Sequence, residues 1–171
     1  MMKYGIAIFP SEEIQREANA YRKRYDPGYT LIDPHITLKA RFEIEASRKQ
    51  DMIDELKKIA KETKPFDIKI TKVSSFAPVT NTIYFKVEPV EELMKLHELV
   101  HSGIFPPNQK YNFVPHITIA QDLLDGEYAD IYGSLKMKEV YFEDKVDRFH
   151  LCYEKDDGTW EVYETFIFGE K

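Results

Sequence analysis

Short apolar blocks alternate with segments of helical period along this chain, and the same order of elements occurs twice. In the first half, Lys3 to Phe9 reads as an apolar strand and Ser11 to about Arg24 as a helix. Asp26-Pro27-Gly28 breaks the pattern, and a strand is predicted from His35 to Ile44. Met52, Ile53, Leu56, Ile59 and Ala60 recur at helical spacing behind Ser47-Arg48-Lys49-Gln50, which matches a capping box. Pro65 stops that helix, and Phe66 to Phe76 alternates Ile68 and Ile70 against Asp67 and Lys69, as a strand does.

The second half predicts a strand from Thr82 to Val87, a helix from about Val90 to Ser102 closed by Gly103, a loop at Pro106-Pro107-Asn108 and a strand from Phe113 to Ala120. A tyrosine-rich helix from Glu127 to Leu135 comes next, then strands at Glu139 to Phe142, Arg148 to Tyr153 and Trp160 to Phe168. The last two are joined by Asp156-Asp157-Gly158-Thr159, a good hairpin turn. The tetrapeptide Pro-His-Ile-Thr appears at 34–37 and again 81 residues later at 115–118. Upstream of each copy an apolar strand leads into Pro-x-Glu-Glu and an aliphatic residue, at 10–14 and 89–93. The chain therefore reads as one bilobal α+β domain of two similar repeats, about 1–78 and about 79–171. Antiparallel sheets with helices packed outside, a pseudo-twofold axis and a central cleft are expected.

Composition narrows the setting. With 171 residues, 43% of them hydrophobic, the chain can bury a proper core without staples. One cysteine, Cys152, leaves no internal disulfide and suits a reducing compartment, and no apolar run approaches the roughly 18 residues of a membrane span. A cytoplasmic protein away from membranes is expected. The net charge of −6 disfavours wrapping of long duplex nucleic acid, where phosphate neutralisation dominates. The local exception is Tyr21-Arg22-Lys23-Arg24-Tyr25, which collects cations and aromatic rings close in sequence to the first tetrapeptide; the plain alternative is that these cations complement the C-terminal end of a helix dipole.

Alternation along a strand puts His35, Thr37, Lys39 and Arg41 on one face and Ile36, Leu38, Ala40 and Phe42 on the other. His116 and Thr118 share a face in the same way, opposite Ile117 and Ile119. Either motif alone is read as a half-buried strand histidine beside a β-forming threonine; two matched copies facing one cleft point to chemistry. One imidazole can activate water, the other can protonate a leaving oxygen, and two hydroxyls can donate to nonbridging oxygens of a phosphodiester. No metal or cofactor is required. Lys39 and Arg41 are candidate substrate contacts.

The duplicated His-x-Thr-aliphatic motif on a two-lobed α+β chain resembles the 2H phosphoesterase superfamily, and is most similar to its bacterial YjcG-type branch. The resemblance spans nearly the whole chain and implies metal-independent chemistry on cyclic phosphodiesters of nucleotides or RNA ends. It implies His35 as proton donor, His116 as proton acceptor, and Thr37 and Thr118 as hydrogen-bond donors to the phosphate. Ligase-like members often carry a basic residue five positions after the second histidine, where this chain has Gln121; Lys39 and Arg41 are candidates to replace that charge from the other lobe, or are solvated residues of a strand edge.

Two other readings compete. His97-Glu98-Leu99-Val100-His101 fits the His-Glu-x-x-His pattern of zinc peptidases on a helix, with Glu127 or Glu139 as a distant third ligand, but the extended signature fails at Ile104 and Pro107. The plain alternative places both rings on the helix surface. A non-catalytic module that binds a nucleotide or RNA end would keep the same cleft. His150 is read as structural, and Tyr84, Tyr153 and Tyr163 as core-edge residues able to line the cleft.

Overall fold

The computed structural model describes residues 2–107 and 112–169, so Asn108 of the predicted proline loop lies outside the described residues. The elements in chain order are β1 (Lys3–Ile8), α1 (Glu12–Tyr25), β2 (Ile36–Glu43), α2 (Lys49–Glu62), β3 (Phe66–Ser75), β4 (Ile83–Val87), α3 (Glu91–Leu99), β5 (His116–Ala120), α4 (Asp125–Leu135), β6 (Phe142–Val146), β7 (Arg148–Glu154) and β8 (Trp160–Ile167). The strands form one antiparallel sheet in the order β6-β3-β4-β5-β2-β1-β7-β8.

This order is symmetric about the seam between β5 and β2, where the repeated β-α-β units meet. Neither side of the sheet is built from one repeat alone. β3 leaves the first unit to pair with β4, whereas β7 returns from the C-terminus to pair with β1. The helices cross over too: α1 packs on β5, α3 on β2 and α2 on β8. One face of the sheet, carrying Ile6, Ile36, Leu38, Ile83, Phe85, Ile117 and Phe149, is buried beneath them. The other face is left to build a site.

Several boundaries differ from the sequence expectation. No side chain caps α2: Ser47 sits in a 3-10 turn at Ala46–Arg48, and Gln50 turns forward to donate to Asp54 Oδ1 at 2.9 Å. α3 ends at Leu99 rather than Ser102, and Gly103 takes a left-handed turn beyond it at φ 62°. β6 lies three residues later than predicted, because Phe142 pairs with Ile70 and carries a charged edge strand along β3. The hairpin between β7 and β8 is as expected, with Gly158 at φ 86° and Lys155 N–H donating to Thr159 O at 2.7 Å.

Candidate active site

Ile36 of the first tetrapeptide stands directly opposite Ile117 of the second across the β2–β5 seam. Both isoleucines are fully buried, so the flanking His and Thr side chains project from the opposite, open face. In an antiparallel pair with that register His35 faces Thr118, and Thr37 faces His116. Each histidine is thus presented to the threonine of the other repeat, and the four side chains predicted to converge do so.

The two rings are held alike. Nδ1 of His35 lies 2.8 Å from Asp33 O, and Nδ1 of His116 lies 2.7 Å from Val114 O, in each case the carbonyl two residues back. A carbonyl only accepts, so Nδ1 carries the proton and the neutral ring offers its Nε2 lone pair. Phe76 meets the His116 ring edge-on at 4.9 Å and Tyr84 at 5.1 Å, while Phe9 is 6.2 Å from His35. Burial pulls both imidazoles below their ordinary pKa, and the carbonyl bonds oppose it. His35 is lowered further by the charges of Arg22 and His116, and Asp26 acts in the other direction.

Beside them opens a cavity of about 300 Å³ lined by His35, Thr37 and Thr118 together with Arg22, Asp26, Gln121 and Trp160. Its floor is a polar network that sequence patterning misses. Arg22 and Asp26 form an ion pair at 3.3 Å with side chains only 3% and 2% exposed. The guanidinium also donates to Asn19 Oδ1 at 2.8 Å and Ile32 O at 2.5 Å. Asp26 Oδ1 accepts from Gly28 N–H and from Gln121 Nε2, both at 2.8 Å. Gln121, where ligase-like chains carry a cation, is thereby tied to a buried arginine from α1. A smaller recess of about 220 Å³ shares His35, Thr37 and Trp160 and runs over Gly5 and Ala40 to Arg41. A Cβ at Gly5 would come within 3.2 Å of the indole, so any larger residue there requires the ring to move by a few tenths of an ångström.

The two candidate substrate cations, Lys39 and Arg41, line this recess with His35 and Thr37, but each is bonded to the protein. Two register shifts in the β1–β2 ladder break the alternation of β2. Lys39, 4% exposed, is turned to donate from Nζ to Pro106 O at 2.5 Å, with its ammonium 5.2 Å from the Phe42 ring. Burial pushes its pKa down to about 8. Arg41 stays at the rim, bonded to Glu154 Oε1 at 3.0 Å. A further shift in the β4–β5 ladder puts Ala120, which strict alternation would set on the face of His116 and Thr118, in the core.

A family model described as the 2'-5' RNA ligase superfamily matches residues 10–158. The chain belongs to that superfamily, the 2H phosphoesterases.

Relatives of this 2H phosphoesterase include a protein of Oceanobacillus iheyensis, 59% identical over 98% of this chain and 99% of its own length. A second, from Geobacillus sp. (strain WCH70), is 56% identical over 99% of this chain and 98% of its own length. Both are named as candidate phosphoesterases. The fold is shared with a solved Thermus thermophilus protein, at TM-score 0.73 and 20% identity, covering 99% of this chain and 100% of that one. It is shared equally with Escherichia coli LigT complexed with 3'-AMP, at TM-score 0.71 and 15% identity over 99% of each chain.

Other histidines of the 2H phosphoesterase lie apart from the pair. His101 falls beyond the end of α3 and uses Nδ1 on His97 O at 2.6 Å, and His97 stacks on Phe113 at 4.0 Å. Burial, His101 and Lys39 push the His97 pKa down to about 4. Glu127 accepts the Leu124 N–H at the start of α4 at 2.9 Å, and Glu139 is exposed. Among the described residues no group of three His, Cys, Asp or Glu side chains is placed to hold a metal, so the zinc-peptidase reading has no third ligand. His150, read as structural, lies on the open face opposite Ala7, 5.1 Å from Phe9, with Nδ1 2.9 Å from Thr165 Oγ1. Tyr84 backs His116, whereas Tyr153 and Tyr163 pack against each other edge to face at 6.1 Å beside Tyr4.

Proposed function

We propose that this 2H phosphoesterase hydrolyses a cyclic phosphodiester of a nucleotide or RNA end by two-histidine acid and base catalysis. The observation that carries the reading is the cross-strand register, which sets each Nδ1-anchored histidine against the threonine of the other repeat. His116 Nε2 accepts a proton as a water oxygen attacks phosphorus, and protonated His35 gives its proton to the departing ester oxygen. The ring P–O bond breaks and a phosphomonoester remains. Thr37 and Thr118 hydroxyls donate to the nonbridging oxygens, where negative charge builds. The assignment of His35 as acid and His116 as base follows the superfamily resemblance.

The capture of 3'-AMP by LigT supports a nucleotide monophosphate as product, since opening a 2',3'-cyclic phosphate yields that class of molecule. A cytoplasmic setting agrees with Cys152, a buried free thiol pushed up to about 12 by burial. Among the described residues no helix is long and apolar enough to cross a membrane.

Turnover of 2',3'-cyclic nucleotides and ADP-ribose cyclic phosphates, measured as a panel, tests the reading. Activity should survive excess EDTA, because none of the proposed steps passes through a metal. Activity abolished by the chelator and restored by zinc would instead return attention to His97 and His101.

The pH profile gives a second test. One ring must be protonated and the other neutral, and burial lowers both. As pH rises the acid gives up its proton, so kcat/KM should fall on an alkaline limb whose apparent pKa lies below the ordinary histidine value of about 6.5. A limb well above that value would contradict the assignment.

A further inference from the structure

The line of side chains that begins at His116 continues outward on the open face. Lys86 pairs with His116 across β4–β5, and Lys72 pairs with Lys86 across β3–β4, so three residues on three adjacent strands stand in register. Paired positions share a face, and the face is fixed because Phe85 and Val87 on either side of Lys86 are fully buried. A strand spacing of about 4.8 Å puts Lys86 one step and Lys72 two steps from the imidazole.

Two features separate this row from ordinary surface lysines. Like charges directly opposite each other destabilise a sheet, and here a lysine faces a lysine. The chain carries 30 acidic against 24 basic residues, yet neither Lys72 nor Lys86 has a carboxylate partner among the described residues. The next lysine along β3, Lys69, does have one in Glu143 at 4.0 Å. The second feature is the register shift between Ile70 and Lys72. Ile70 pairs with Val87, so an unshifted ladder would set Thr71 opposite Lys86. Bulges re-aim side chains beside functional sites, and this one aims a second ammonium along the row that leads to His116.

We infer that Lys86 and Lys72 form a second anion subsite, holding a phosphate of the substrate other than the one that reacts. It rests on the phosphodiester reading of the cleft and deepens it by naming the substrate class: a nucleotide or RNA end that carries a further phosphate one step from the reacting group. That phosphate is either the 5'-phosphate of the same nucleoside or the next internucleotide phosphate.

Calorimetric titration with adenosine 3'-monophosphate and adenosine 3',5'-bisphosphate at low ionic strength tests the subsite. The bisphosphate should bind the wild-type protein about tenfold more tightly, the scale of one charge-assisted contact. That advantage should disappear in the Lys72→Ala, Lys86→Ala double variant, while the monophosphate affinity and the circular dichroism spectrum stay unchanged. Raising the salt should shrink the advantage in the wild type. A dinucleotide ending in a 3'-phosphate separates the sources: a matching gain assigns the internucleotide phosphate, and a gain confined to the bisphosphate assigns the 5'-phosphate. Equal affinity for all three ligands, binding of none, or a gain that survives both substitutions would overturn the subsite. The readout is binding, so an absence of cyclic phosphodiester turnover in the wild-type protein would count against the catalytic reading alone.

Discussion

Replacing His116 by alanine should lower turnover of a cyclic phosphodiester by about 10² to 10⁴, the contribution of one positioned acid or base, and His35→Ala should cost as much. The two losses should not multiply. Once either ring is gone the concerted transfer has no complete proton path, so the double variant should be little worse than each single one. The fold should persist, since the isoleucines beside the two rings keep the strands buried and each deleted ring donated to one local carbonyl. Steady-state rates beside thermal midpoints make the comparison, and imidazole in the medium should restore part of the lost rate. Full activity in both single variants would end the two-histidine mechanism.

Asp26→Ala should produce the largest loss of stability of any single change at the cleft. It strands the buried guanidinium of Arg22 and removes the acceptor of both Gly28 N–H and Gln121 Nε2. Breaking a buried ion pair from one side costs about 3–5 kcal/mol, because the remaining charge stays desolvated. At roughly 2–4 °C per kcal/mol for a chain of this size, the thermal midpoint should fall by about 10 °C. Adding Arg22→Met to Asp26→Ala should recover part of that fall, since the uncompensated charge is then gone. An unmoved midpoint in the single variant would show that water reaches the pair.

The paired tetrapeptides are legible in the sequence because strand alternation is local: His35 and Thr37 share a face whatever β2 pairs with. Lys39 is not legible. Its direction depends on register shifts against β1, which arise in the partnership of two strands and leave no mark in either alone. Arg22 is an intermediate case. Ile14, Ala18 and Arg22 recur every fourth residue and are the three buried positions of α1, so helical period places the arginine on the buried stripe. A run of neighbouring cations draws attention to the helix end instead. The charged pattern of β6 hides a strand whose existence depends on β3 offering a free edge.

The exchange of β3 and β7 between the two sides of the sheet has a consequence for how the protein is made. Synthesis delivers residues from the N-terminus, and domains begin to fold as they emerge. β1 leaves the ribosome well before its second neighbour, β7, and β8 follows that. Until then the half of the molecule that holds His35 keeps an unpaired strand edge, while the half that holds His116 can already pair β3, β4 and β5. The nascent chain is therefore lopsided, and its C-terminal hairpin is the clasp that finishes the first repeat.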